Sequence, residues 1–158
     1  MTLADTLLEK LAKLSPAAAV RRTLSFADQA TSTSVRVEVE RLEAVGCELW
    51  EVGVAHRLHS VGLGAWALRV ADRVTGLLEP LKVVEVDNLR GQALLRSESP
   101  AQRECDLHYY EVLLQNSGAA ILRRFHATKS PGPRAQVPFA MTREALAKLV
   151  ADLACSEG

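Results

Sequence analysis

The chain has 158 residues, of which 48% are hydrophobic and 24% are charged, and its 19 basic residues balance 19 acidic ones. This length and composition are typical of one globular domain with a single sizeable core. The zero net charge excludes an overall field that attracts polyanions, although a local basic face is compatible with it.

The N-terminus and the cysteines lead us to expect a soluble, cytoplasmic protein. Residues 1–5 lack the basic start and the unbroken apolar core of a signal peptide. No segment approaches the roughly 18 apolar residues that a membrane-spanning helix needs. The three cysteines, Cys47, Cys105 and Cys155, form no C-x-x-C pair, so neither a disulfide framework nor a zinc ribbon is expected. Unpaired thiols are typical of a reducing cytoplasm.

The first half of the chain predicts two helices and a group of strands between them. Leucines at helical spacing predict an amphipathic helix over residues 3–14, and Thr2 with Asp5 resembles its N-terminal cap. Valines that alternate with charged residues over 35–40 predict a strand with one buried face. The other expected elements of this half are strands at 23–26 and 50–54 and a helix at 64–76.

The second half predicts two β-hairpins and a closing helix. The expected strands are 81–86, 92–97, 104–117 and 119–128, with loops at 98–103 and 129–136. The sequence signal for the turn of the second hairpin is strong. Asn116 and Ser117 can form hydrogen bonds with the nearby backbone, and Gly118 tolerates a positive φ. Apolar residues at helical period predict a last helix over 142–154, laid across this hairpin. The expected fold is α+β, with a largely antiparallel sheet and the order α-ββ(β)-α-ββββ-α.

The strands of the second half carry apolar residues on both faces. Leu94 and Leu95, for example, point to opposite sides of one strand. A strand that is apolar on both sides needs cover on both sides. Three helices can cover one face of the sheet. The other face must curl on itself, be covered by a second copy of the chain or bind something, and a homodimer is the favoured expectation. We predict a single domain over residues 1–158, with a weak internal duplication of 35–76 and 81–154 as a further hypothesis.

Side chains with catalytic or metal-binding chemistry occur in the sequence without forming a recognisable motif. His56 and His59 form an H-x-x-H that lacks a third ligand at a known spacing. His108 and His126 are expected to face each other across the second hairpin, because they are equidistant from Ser117. No catalytic residue, cofactor or metal site is therefore assigned, and an enzyme is only the third hypothesis, behind two binding functions.

One group of aromatic and basic residues lies on the second hairpin and could form a binding face. Such residues stack bases beside phosphate contacts in single-strand nucleic-acid binders. The same charges could instead be solvated and paired with Glu104, Glu111 and Glu144. The candidate binding face consists of Tyr109, Tyr110, Arg123, Arg124, Phe125 and His126.

Two families share the predicted order of elements. A helix, strands, a middle helix, strands and a final helix resembles the small dimeric chaperones of type III secretion, although those are usually acidic. An order in which strands are followed by one helix, repeated twice, is similar to that of the PUR and Whirly single-strand binders. Residues 118–153 resemble them in their basic strand, loop, Val137-Pro138 and closing helix. The first resemblance implies a homodimeric adaptor or chaperone-like module that binds an unidentified protein. The second implies a single-stranded nucleic-acid binder as the alternative, and neither assigns a role to a residue.

Overall fold

A computed structural model describes residues 1–14, 20–56 and 62–154 of the chain. In these ranges the helices are α1 (Leu3–Ala12), α2 (Leu63–Arg73) and α3 (Arg143–Ala154). The strands are β1 (Arg22–Asp28), β2 (Thr33–Leu42), β3 (Gly46–Ala55), β4 (Leu81–Asp87), β5 (Gln92–Ser97), β6 (Ala101–Arg103), β7 (Asp106–Gln115), β8 (Ala119–Thr128), β9 (Ala135–Val137) and β10 (Phe139–Thr142). The predicted α+β class is confirmed, and the sheet is larger than predicted.

All ten strands belong to one sheet, and every pairing between the described strands is antiparallel. The main path runs β1-β2-β3-β8-β7-β5-β4, with β6 on β7, β9 on β8 and β10 on β3. The contact of β3 with β8 joins the two halves of the chain. The segments 98–103 and 129–136, expected to be loops, contain β6 and the start of β9. Their short polar sequences carry no strand pattern, and they form strands because a neighbouring strand offers its backbone groups.

The sheet divides where β3 and β8 separate. Residues 52–55 of β3 pair with residues 119–122 of β8. The earlier part of β3 pairs with β10 instead, and the later part of β8 pairs with β9. The segment that carries β9 and β10 therefore fills a fork in the sheet. At this fork the side-chain amide of Gln136 donates a 2.9 Å hydrogen bond to the Trp50 carbonyl.

Helix α1 begins at the predicted cap. The Thr2 hydroxyl accepts a 3.1 Å hydrogen bond from the Asp5 amide, and the Asp5 carboxylate accepts one of 2.9 Å from the Thr2 amide. Such a reciprocal box satisfies two amide groups that the first turn leaves unbonded.

Within the described residues, no helix is long and apolar enough to cross a lipid bilayer.

The three helices cover one face of the sheet, which we call the inner face; the opposite side is the outer face. Leu11, Trp66 and Leu146, one from each helix, are fully buried in a single core with the inner-face side chains of the strands. The closing helix α3 does not lie across the β7–β8 hairpin as predicted. Its main neighbours are α1, β3 and β10, because β10 leads the chain to the β3 side of the sheet, while α2 lies over β4 and β5.

Candidate functional site

The six residues of the predicted binding face are divided between the two faces of the sheet. In the β7–β8 register Tyr109 is opposite Phe125, and Tyr110 is opposite Arg124. Successive residues of a strand point to opposite faces. Tyr109, Arg123 and Phe125 therefore lie on the outer face, whereas Tyr110, Arg124 and His126 lie on the other side and do not join them.

Arg124 belongs to a buried polar network on the inner face. Its guanidinium donates two hydrogen bonds, of 3.1 and 3.4 Å, to the carboxylate of Glu79, and it stacks 4.2 Å from the centre of the Tyr110 ring. The Ser97 hydroxyl donates to Glu79 and accepts a hydrogen bond from the Tyr110 amide. Both charged side chains are only 9% exposed. This network ties the segment before β4 to β5, β7 and β8, and its role is structural.

The predicted pairing of His108 with His126 is confirmed. The two residues are opposite each other in the register, and their ring centres lie 4.9 Å apart. The Nε2 of His126 lies 2.8 Å from a carboxylate oxygen of Asp106. Among the described residues, no group of three or more possible ligands is arranged to hold a metal ion. His59, from the H-x-x-H pair, lies outside the described residues.

Glu111 is the centre of a charged cluster on the outer face. Its carboxylate accepts a 3.0 Å hydrogen bond from Arg96 and two hydrogen bonds from Arg134, one of 3.2 Å. The Arg134 guanidinium also lies 3.8 Å from the centre of the Phe125 ring and donates to the Tyr109 hydroxyl. Burial alone would raise the pKa of Glu111, but the hydrogen bonds from Arg134 and Arg96 outweigh it and hold the pKa below its usual value. The cluster fixes the segment before β9 over one end of the outer face.

Four arginines at or beside the outer face are paired with carboxylates. Arg123 donates a 2.9 Å hydrogen bond to Glu51 at the fork of the sheet. Arg36 donates one of 3.0 Å to Glu38 on the same strand. With Arg96 and Arg134 on Glu111, four arginines are compensated by three glutamates. Of the predicted partners only Glu111 is among them, and Arg123 pairs with Glu51 instead.

Strand pairing arranges the outer-face residues in rows that run across the strands. One row crosses β5, β7, β8 and β3 and is apolar. The next row crosses β8, β3, β2 and β1 and contains only small side chains. The apolar row consists of Leu94, Leu113, Ile121 and Gly53, and the small row consists of Ala119, Ala55, Ser34 and Ala27. The charged cluster begins one row beyond the apolar row, on the side away from the small row.

The small row forms the floor of an open concavity that we call the outer groove. It measures about 790 Å³ and is lined by β1, β2, β3 and β8. Ile121, Arg36 and Glu51 lie along its side. A Cβ atom at Gly53 would lie 3.6 Å from the Arg36 carbonyl oxygen, an ordinary contact, so the backbone does not require glycine there. The groove is open because small residues from four separate strands meet, a convergence that no local sequence pattern reveals.

Comparisons with known proteins assign nothing to this site. No protein-family model matches the sequence, and no curated protein matches it. No solved structure matches the fold. The function therefore has to follow from the geometry of the outer face.

Proposed function

We propose that this protein is a protein-interaction module of adaptor or chaperone type that acts as a homodimer. Its outer groove takes an apolar segment of a partner protein. The observation that carries this proposal is the small row beside Ile121 and Gly53 of the apolar row, which leave a groove of about 790 Å³ on the face that the helices do not cover.

The size and lining of the outer groove suit bulky apolar side chains. Binding sites for ligands typically enclose about 300–1,000 Å³. The floor residues Ala55 and Ala119 fill little of this space, so an incoming side chain can approach the sheet backbone. Ile121 is only partly buried in the free chain and would lose further contact with water when the groove is filled. Contiguous apolar surface of this kind marks interaction sites on soluble domains.

The charges beside the groove fit the rim of a protein interface. Such interfaces have an apolar centre and a polar, hydrated rim. The pairs Arg123–Glu51 and Arg36–Glu38 keep both signs of charge within a short distance. A rim of this composition selects partners by complementary polar contacts and does not attract one sign of charge.

The same pairing favours a protein partner over a nucleic acid. Nucleic-acid binders use arginines and lysines that are free to neutralise phosphates. Here Arg96 and Arg123 are already paired with carboxylates. Phe125 would be the natural stacking surface, but the Arg134 guanidinium already lies over its ring and the side chain is 8% exposed. Binding of single-stranded nucleic acid is therefore the alternative function that the experiment has to distinguish from peptide binding.

A random-peptide library displayed on phage tests the proposal, with binding of the selected synthetic peptide measured by fluorescence anisotropy. We expect selected peptides rich in bulky apolar residues. Ala55→Arg places a long charged side chain in the groove and should weaken peptide binding about tenfold or more. The matched control is Ala65→Arg on the exposed side of α2, which should bind as the wild type does.

Single-stranded DNA and RNA oligonucleotides are measured in the same assay across a salt series. Binding that weakens steeply with salt and is lost in Arg123→Ala would replace the proposal with the nucleic-acid alternative. Failure to select any peptide that distinguishes the wild type from Ala55→Arg would refute the role of the outer groove.

A further inference from the structure

We propose that the second copy of the chain binds along the free edge of β1, in an antiparallel two-fold ladder centred on Ser25. This inference names the surface of the proposed homodimer and rests on that part of the proposed function. Among the described strands, β1 pairs only with β2, so its other edge faces no strand. The backbone amides and carbonyls along such an edge are a template for another strand.

The two ends of the sheet differ in how open they are to pairing. At the far end, β4 has a register shift between Val83 and Glu85 that leaves Val84 as an extra residue. Bulges and charged side chains are the usual protection of an edge strand. β1 has neither a bulge nor a proline, its charged residues Arg22 and Asp28 stand only at its two ends, and its register with β2 is unbroken over all seven residues. β1 is therefore the edge that can accept a second strand.

The charges of β1 are complementary to those of a second, antiparallel β1. When the ladder is centred on Ser25, Arg22 of each copy lies opposite Asp28 of the other. Within the described chain, Arg22 forms no ion pair, and its buried Nε atom has no hydrogen-bond partner. Asp28 accepts hydrogen bonds from the Ala30 amide and the Thr31 hydroxyl, and no arginine or lysine of the described chain pairs with it. The two-fold ladder brings together opposite charges that each single chain leaves unpaired.

The same register matches the two faces of the strand. On the inner face Leu24, which is 8% exposed, lies opposite Phe26, which packs against the core. On the outer face exposed Ser25 meets its own copy. A shift by two residues would place Arg22 opposite Phe26, or Leu24 opposite Asp28, and would mix charged with apolar side chains. Only the register centred on Ser25 uses the whole strand and matches both charge and hydrophobicity.

The pairing would also join the two outer grooves. Thr23, Ser25 and Ala27 of β1 line the groove in each copy. A shared β1 ladder therefore makes one trough of eight strands, roughly 34 Å across at about 4.8 Å per strand. A partner segment that spans the two-fold axis would bind both halves at once, with the gain in affinity that bivalent binding brings. We expect a dissociation constant of about 10 μM or weaker for the dimer itself, because one pair of short strands buries less than a standard interface.

Disulfide cross-linking of the full chain tests the register directly. Cys105 and Cys155 are replaced by serine, and Ser25→Cys or Thr23→Cys is added. Residues directly opposite in a ladder have Cβ atoms about 4.5–5.5 Å apart, close enough for a disulfide after a small adjustment. Oxidation should therefore convert the Ser25→Cys protein to a covalent dimer. Thr23→Cys is the matched control on the same strand and face; its two copies lie four residues, about 13 Å, apart along the strands and should not cross-link.

Sedimentation equilibrium gives the second readout, at concentrations above the expected dissociation constant. Arg22→Asp should raise this constant about tenfold or more, because it places like charges opposite each other. The exchange Arg22→Asp with Asp28→Arg should restore it, and circular dichroism confirms that each variant is folded. Equal cross-linking at both cysteine positions, or an unchanged dissociation constant in Arg22→Asp, would overturn the β1 interface but not the homodimer. A protein that stays monomeric at all concentrations would overturn the homodimer itself, whereas peptide binding to the groove is a separate result.

Discussion

Arg123 and Arg124 are neighbours in the sequence but belong to two regions with different physical chemistry. On the inner face Arg124 is buried with Glu79 and lies against the Tyr110 ring. On the outer face Arg123 has a side chain that is 36% exposed and pairs with Glu51 at the fork of the sheet. Arg124 and Glu79 therefore help to fix the fold, whereas Arg123 and Glu51 stay partly hydrated beside an open groove. Strand alternation alone separates these two roles.

The largest expected effect is on the inner face. Arg124→Met leaves the Glu79 carboxylate buried without its partner and should lower the free energy of unfolding by about 3–5 kcal/mol. Arg123→Met removes an ion pair that is partly open to water and should cost less than about 1 kcal/mol. Urea denaturation at neutral pH measures both values. Equal losses in the two variants would contradict the distinction between the faces.

The same contrast applies to the next two residues toward the turn. Leu122 is fully buried in the core, and Leu122→Ala should lower the free energy of unfolding by about 2–5 kcal/mol, because it leaves a cavity. Ile121 points into the outer groove, and Ile121→Ala should cost less than half as much. In the peptide assay the order reverses, since only Ile121→Ala removes apolar surface from the groove. If Leu122→Ala weakened peptide binding more than Ile121→Ala, the faces would be assigned wrongly.

A smaller effect, and one that depends on pH, is expected at Glu111. Its pKa in the folded protein is below the ordinary value of 4.5, so the stabilisation by Arg134 and Arg96 is complete above that pH. As the pH falls below 4.5 toward the lower pKa of the folded state, this stabilisation is lost. Glu111→Gln should cost about 1–2 kcal/mol at neutral pH and show a shallower loss of stability in acid. Denaturant titrations from neutral to acidic pH that run parallel for the two proteins would contradict this.

The smallest expected effect concerns the cysteines, because labelling an exposed thiol changes no buried contact. Burial raises the pKa of the Cys47 thiol to about 11, whereas Cys105 is exposed. In a Cys155→Ser protein at slightly alkaline pH, a thiol reagent should therefore modify Cys105 rapidly and Cys47 only after unfolding. Mass spectrometry of the labelled peptides identifies the modified residue. Equal rates at the two thiols in the native protein would show that the core beside β10 opens readily.

Local signals predicted much of the fold. The cap of α1 depends on two side chains three residues apart, and the β7–β8 hairpin depends on a turn of three residues. The turn also fixes the register, which is why His108 and His126 could be paired from their distance to Ser117. The contact of β3 with β8 and the fork between them were not predictable. They depend on which strand edges remain free after the hairpins form.

The candidate site was harder to predict for the same reason. Residues 123–126 are basic and aromatic as a block, but a strand divides such a block between its two faces. The outer groove is formed by alanines, serines and a glycine, which are small residues without a periodic signal of their own. Ala55 and Ala119 become neighbours only through the pairing of β3 with β8. The register had to be known before the groove could be recognised.

If the outer face binds the partner and the inner face holds the fold, a selected peptide should perturb only the outer face. NMR spectra of protein labelled on its alanine methyl groups, recorded as the selected peptide is added, show which face responds. Alanines report on both regions, with Ala55 and Ala119 in the outer groove and Ala147 buried in α3. We predict shifts at Ala55 and Ala119 that saturate with peptide, and none at Ala147. Shifts at Ala147 without shifts in the groove would show that the peptide binds elsewhere and would refute the role of the outer groove.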